Sequence, residues 1–373
     1  MPADAPDLVA PLPTRLRGEV VYLYAFDVAN EVHVERAAEL LSIRPQPFAA
    51  RADRPGPATL PTAQPLTLEV PDPSAHIGGA AIRVIVRVYN VGVVTVALRA
   101  PFERAAGAEL LGLHGPALDD GRALDALARQ HYTETRRRLA DALVRPGPEA
   151  EPEAYTVFCL TDLGGERDAN RWLADNTRAA AGLLTATPGD RLSEQQVTDA
   201  LRLRRSFENS DLVVVDWDAA LVVELDGSPE DVLFVLELAN LQLEEFRWMD
   251  RTLDTHLERA YADLARGRSW GLGGVGATLR SLRQLRVDLA RLADEVTHST
   301  KFLGDWHLAR VYALARERFH LGQWRASVGE RLGDLDRLYT TARGDLYDRR
   351  MLVLEVVVVL FFAVDLLFLF FRK

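Results

Sequence analysis

The feature that most constrains this chain is the run from Met351 to Phe371: 21 residues, 19 of them apolar, broken only by Glu355 and Asp365. At 1.5 Å per residue such a helix reaches about 32 Å, matching a hydrocarbon core of about 30 Å. The run exceeds the usual length of a core helix, and the basic residues Arg349, Arg350, Arg372 and Lys373 flank it. The expectation is one C-terminal transmembrane helix over 351–371. Arg337, Arg343, Arg349 and Arg350 lie before the span, against Arg372 and Lys373 beyond it. By the positive-inside rule the N-terminal bulk then faces the cytoplasm, as a single-pass tail anchor in the cell inner (cytoplasmic) membrane. Glu355 and Asp365 become intramembrane acids, each costing a few kcal/mol if ionised there. Burial of those acids against a neighbouring span favours a homo-oligomer, so the expected partners are the lipid bilayer and further copies of the chain.

The remaining length supports two ordinary domains with buried cores, since the 373 residues are 48% apolar and 26% charged. Residues 1–17 read as a disordered tail. Their Asp4, Asp7 and prolines leave neither a basic start nor a continuous apolar stretch, so they match neither a secretory signal nor an Arg-rich transit peptide. The one cysteine, Cys159, makes no internal disulfide and no Cys-based zinc cage, which points to a reducing compartment. The net charge of −10 divides as −15 over 1–250, +5 over 251–350 and 0 over 351–373. Nucleic-acid binding needs a concentrated basic face, so a chain-wide contact and direct DNA binding are not expected.

Hydrophobic periodicity predicts an α+β fold: two small mixed α/β units, then long antiparallel coiled-coil helices, then the span. The first unit covers 18–144 and includes a Pro-rich loop at 44–73. Its strands are Glu19 to Phe26 and the alternating Ala81 to Tyr89. Residues 145–153 (RPGPEAEPE) are the linker, and 154–227 form the second unit. Ser228, Pro229, Glu230 and Asp231 start a helix through cap, first-turn proline and dipole preference. Apolar residues then recur at spacings of four and three, from Val232 and Leu236 to Leu264, from Leu282 to Val296, and from Val328 to Leu346. This predicts a coiled-coil stalk over 228–350.

Few motifs carry chemistry. Gly271, Gly273 and Gly276 satisfy a dinucleotide-binding pattern by letters, but a helical pattern rather than a strand precedes them. No two of the eight histidines fall at i,i+3 or i,i+4, and Cys159 lies in an apolar strand pattern. Asp216 and Asp218 flank Trp217 in a predicted hairpin turn, where their side chains cap backbone amides. No catalytic residue, cofactor site or metal site is expected. Asp250 occupies a seam position, where a carboxylate needs a partner. Arg247, one turn earlier, and Arg283, on the next helix, are the predicted partners in an ion pair fixing stalk register.

The strings GEVVYLYAFDVANEV (18–32), SDLVVVDWDAALVVE (210–224), ELANLQLEEFRWMDRTLD (237–254), TKFLGDWHLARVYALARERF (300–319) and RRMLVLEVVVVL (349–360) together resemble the required-for-meiotic-nuclear-division family. That family includes eukaryotic mitochondrial inner-membrane proteins and many uncharacterised bacterial members. The resemblance implies a C-terminally anchored protein without an established catalytic centre. It also implies a ribosome or other cytosolic complex as partner. The function expected from the sequence is therefore a noncatalytic membrane-tethered scaffold. The alternatives are an oligomeric membrane conductance using the intramembrane acids and an enzyme in the α/β region.

Overall fold

The protein is described by a computed structural model covering residues 15–43, 65–104, 107–148, 151–265, 280, 286–287, 290 and 306–371. It divides into two compact units. Unit 1 holds Met1–Glu245 with Asp294–Gly322, and unit 2 holds Phe246–Ala293 with Gln323–Lys373.

Unit 1 opens with β1 (Leu16–Asp27), β2 (Ala29–Val32) and α1 (Val34–Leu41). It continues with β3 (Leu66–Val70), β4 (His76–Ile77), β5 (Ala80–Ala81), β6 (Arg83–Val88) and β7 (Val93–Arg104). Next come α2 (Gly107–Leu110), α3 (Leu124–Arg138), β8 (Leu143–Pro146), β9 (Glu153–Leu163), α4 (Ala169–Asp175), α5 (Thr177–Leu184) and α6 (Glu194–Ala200). The strands β10 (Arg204–Arg205), β11 (Asp211–Val215) and β12 (Ala219–Glu224) follow. The helix α7 (Glu230–Ala265) begins in this unit, and α8 (Trp306–Arg318) completes it.

One eight-stranded sheet runs β10-β11-β12-β9-β1-β7-β6-β3. Its ladders are antiparallel except for β9 with β12. The two expected α/β units are therefore one. The strand β1 pairs with β7 on one edge and β9 on the other, so segments assigned to separate units share a ladder. Periodicity reports which face a side chain takes but not which strand lies beside it, so it does not reveal that β1 joins the two segments. Gly18 makes the β1–β9 approach possible at a register shift, because a Cβ there would lie 1.8 Å from the Cys159 carbonyl oxygen. Gly92 has φ +93° in the turn between β6 and β7, a conformation open to glycine.

Alternation sorts the strands onto two covered faces. Val20, Tyr22 and Phe26 of β1, Val96 and Leu98 of β7, and Phe158 of β9 join α1 through α6 in the main core. The other face presents Val21, Leu23, Val157, Cys159 and Val222, all buried. Over it lie α7 and α8: Asn240 donates from Nδ2 to the Glu153 carbonyl at 3.4 Å, and the Tyr155 and Phe319 rings meet at 5.2 Å.

This arrangement overturns the coiled-coil stalk. Every residue from Val232 to Phe246 is buried. A helix buried on all sides is a core element of a sheet-rich unit, not a two-stranded seam. The 4-3 spacing at Val232, Leu236, Ala239 and Leu243 marks one side of such a helix and cannot distinguish the two. The second predicted seam, from Leu282 to Val296, lies outside the described residues, and α8 is 13 residues long.

Unit 2 contains the rest of α7 and nearly all of α9 (Leu321–Phe371). Met249, Leu253, Val328, Leu332 and Leu335 are buried in it. Among the described residues, no helix is long and apolar enough to cross a membrane. The transmembrane helix, the tail anchor and the inner-membrane location predicted from 351–371 are corrected accordingly.

Candidate functional site

The most concentrated polar chemistry lies where α7 crosses the second face of the sheet. Ser228 Oγ accepts the Glu230 backbone N–H at 3.4 Å, which caps the helix start. Two turns on, Glu237 is 1% exposed, and its carboxylate accepts from Arg87, from Thr95 Oγ1 and from the Tyr89 hydroxyl at 2.9 Å. Arg87 and Thr95 are direct cross-strand partners on β6 and β7, so both aim at the same point above the sheet. Burial opposes the Arg87 charge, but the Glu237 carboxylate outweighs it and holds the guanidinium more firmly protonated than usual. Burial also pushes the Tyr89 hydroxyl well above its ordinary range, with Glu237 adding to it. Nearby, Arg99 of β7 is 5% exposed, bonds Glu19 of β1 through Nε at 3.0 Å and reaches Glu230 at 2.6 Å.

A second buried cluster joins the β11–β12 hairpin to the end of α8. Arg318 donates from Nε to Asp216 Oδ1 at 2.6 Å, and both side chains are 5% exposed. Asp199 of α6 approaches the same guanidinium at 3.4 Å. The Asp216 carboxylate also accepts the Trp217 N–H at 2.8 Å, while its backbone carbonyl accepts the Tyr155 hydroxyl at 3.0 Å. Burial raises the Asp216 carboxyl above the usual carboxylate range despite the opposing Arg318 charge. The predicted turn role of Asp216 is present, and an ion pair to a residue 102 positions away is added to it. Asp218 is exposed, so the two acids do not form the carboxylate pair an enzyme reading required.

The other residues singled out in the sequence are scattered. Cys159 is fully buried and burial pushes its thiol well up, which makes it a packing residue. His131 meets Asp72 at 3.2 Å, and Ser74, through its hydroxyl, with His131 keeps that carboxyl below its ordinary range. Gly271, Gly273, Gly276 and Arg283 lie outside the described residues, as do Arg372, Lys373 and the side chains of Arg349, Arg350 and Asp365. Glu355 is exposed on α9. Among the described residues, no group of three His, Cys, Asp or Glu side chains could hold a metal.

Asp250 does sit in an ion pair, with a partner the sequence did not indicate. Arg331 of α9 binds Asp250 at 2.9 Å and Asp254 at 2.8 Å, inside unit 2. Arg331 is 46% exposed and Asp250 is 22% exposed. Solvent screening at that exposure, with Asp254 left to hold the arginine, predicts that Asp250→Ala costs less than about 1 kcal/mol in thermal unfolding. A loss of several kcal/mol would reinstate the ion pair as the determinant of helix register.

The buried carboxylates of Glu237 and Asp216 are thus each paired with a guanidinium inside the fold. One depression of about 430 Å³ lies along α6, lined by Glu194, Gln195, Thr198, Asp199 and Arg202, and takes only Asp199 from the second cluster. The two clusters tie α7 and α8 to the sheet and its β11–β12 hairpin. Sequence reasoning missed Glu237 and Arg318 because each meets partners more than 100 positions away. The available signal was the placement of charged residues within otherwise apolar helical stretches.

The sequence profile described as "Uncharacterized protein MJ0711, N-terminal domain" matches residues 17–230. The uncharacterized protein MJ0711 of Methanocaldococcus jannaschii is 19% identical over 215 residues, which are 58% of this chain. The match spans 65% of that relative's length. No solved structure matches.

Proposed function

The chain belongs to the MJ0711 N-terminal-domain family, and from that premise we propose a noncatalytic scaffold that self-associates through α9. The observation carrying this reading is apolar exposure: eleven large apolar side chains between Met351 and Val364 are 44% to 70% exposed. Their summed exposed area is on the order of 1,000 Å² per chain, above the few hundred Å² of a monomer's largest patch and close to the roughly 800 Å² per partner of a stable interface. The occupant that fits is a second copy. Consecutive apolar positions Val356 to Phe362 wrap the whole helix, and one shallow groove would cover one side only. Symmetric packing of like helices covers all sides with matching area. The resemblance to the meiotic-nuclear-division family supports the same noncatalytic reading.

Sedimentation velocity of the full chain tests it. The chain is expected to run as an oligomer at micromolar concentration, and Val358→Asp with Leu360→Asp to run as a monomer with the melting of unit 1 unchanged. A full chain that is monomeric at every concentration, or that only floats with phosphatidylcholine vesicles without associating, overturns the proposal.

A further inference from the structure

A different surface, on unit 1, combines exposed aromatic rings with uncompensated arginines. Phe207 is 43% exposed and Trp306 is 53% exposed, with ring centroids 5.3 Å apart and planes at 74°. The Arg310 guanidinium lies 4.0 Å over the Trp306 ring. Two residues before Phe207 runs the edge strand β10, whose Arg204 and Arg205 are both exposed. Among the described residues, Arg204, Arg205 and Arg310 have no carboxylate partner. Arg202, just upstream, does pair with Asp199 and Glu317. The contrast sets these three cations apart, two of them within the net-acidic 1–250 part of the chain.

The loop that presents Phe207 is fixed. Asp211 is buried and its carboxylate accepts the Phe207 N–H at 2.7 Å and the Glu208 N–H at 3.0 Å. Ser206 accepts from Asn170 Nδ2 at 3.1 Å and donates to the Glu208 carbonyl at 2.5 Å. Behind the loop, the buried His307 ring sits 5.7 Å from Phe207. Apolar rings are thus held outward by a hydrogen-bonded loop instead of turning into the core, and positive charge flanks them.

A partner for this surface needs negative charge spaced along a chain and flat rings to stack. We propose that the patch binds single-stranded nucleic acid, with a base stacked on the exposed Trp306 ring, Phe207 meeting that base at its edge, and adjacent phosphates on Arg204, Arg205 and Arg310. Base–aromatic stacking with arginine beside it is the common basis of sequence-tolerant single-strand binding. An acidic peptide would use the arginines but would leave the indole face without a planar partner. The acidity of the surrounding surface confines the contact to these residues, so few phosphates are engaged. This site is independent of the association through α9.

Fluorescence anisotropy of labelled oligouridine and oligodeoxythymidine with the full chain tests the inference. Three neutralised phosphates predict a log–log salt slope of about −2 for a single strand, which is roughly fifteen-fold weaker binding between 50 and 200 mM salt. Trp306→Ala is expected to weaken binding by about ten-fold or more, Trp306→Phe by much less, and Arg205→Glu to abolish it at moderate salt, all with unchanged melting. Poly-glutamate should compete poorly and duplex DNA should bind more weakly than either single strand. Equal competition by poly-glutamate, insensitivity to Trp306→Ala, or no binding at low salt in both single-strand arms overturns the proposal. An α9 variant that is monomeric yet still binds oligouridine separates this result from the fate of the scaffold reading.

Discussion

Replacing Glu237 with alanine is expected to destabilise unit 1 by about 3–5 kcal/mol, the usual consequence of stripping one partner from a buried ion pair. The variant leaves Arg87, 16% exposed, under α7 without its carboxylate. Arginine cannot escape by losing its proton, so the fold must hydrate the cation or open around it. The Tyr89 and Thr95 hydroxyls lose their acceptor at the same time. Glu237→Gln should fall between the two, because an amide oxygen still accepts from the hydroxyls while the charge is gone. Pairing Glu237→Leu with Arg87→Met should recover most of the loss, since removing both charges leaves nothing uncompensated. Urea unfolding of the three variants checks this. A Glu237→Ala loss within about 1 kcal/mol would mean that α7 is held by its apolar contacts alone.

Arg318→Ala should produce a loss of similar size, about 3–5 kcal/mol near neutral pH, with a pH dependence set by Asp216. Burial already sets the folded Asp216 carboxyl above its ordinary value, and Arg318 is the charge that opposes this. A carboxyl raised on folding binds its proton more tightly in the folded state. Stability therefore declines as pH rises from the ordinary carboxylate range, near about 3.9, through the raised folded value. Removing Arg318 moves that folded value further up and widens the window. The deficit of Arg318→Ala against the parent chain should therefore be smallest in acid and deepen as pH rises. Thermal melts across pH 4 to 8 read this directly; a deficit that stays flat would show that Arg318 acts through packing and not through the Asp216 charge.

The sequence disclosed faces better than neighbours. Val84, Val86 and Val88 alternate with Arg83 and Arg87, and the alternation correctly places the valines in the main core. The same pattern assigns Arg87 to the far side, where solvent was the natural expectation; a helix starting 143 residues later covers it instead. The start of α7 was legible from Ser228 through Asp231 because caps and dipoles are local effects. Its surroundings were not, because 4-3 spacing is common to a seam and to a helix on a sheet. At the candidate clusters, Asp216 was noticed for its turn, but Arg318 lies on another element and no spacing rule connects them. The exposed pair Phe207 and Trp306 escaped notice for the same reason, since an aromatic residue reads as core until its neighbours are known.

The position of β1 bears on how the chain is made. The β9 edge that this strand must pair with begins about 125 residues after β1 ends. At roughly 5–20 residues per second, synthesis leaves one edge of an apolar twelve-residue strand without its ladder for about 6 to 25 seconds. Open strand edges template intermolecular pairing. The nascent chain therefore passes through an interval in which β1, closed on one side by β7 and bare on the other, is the segment most in need of a chaperone.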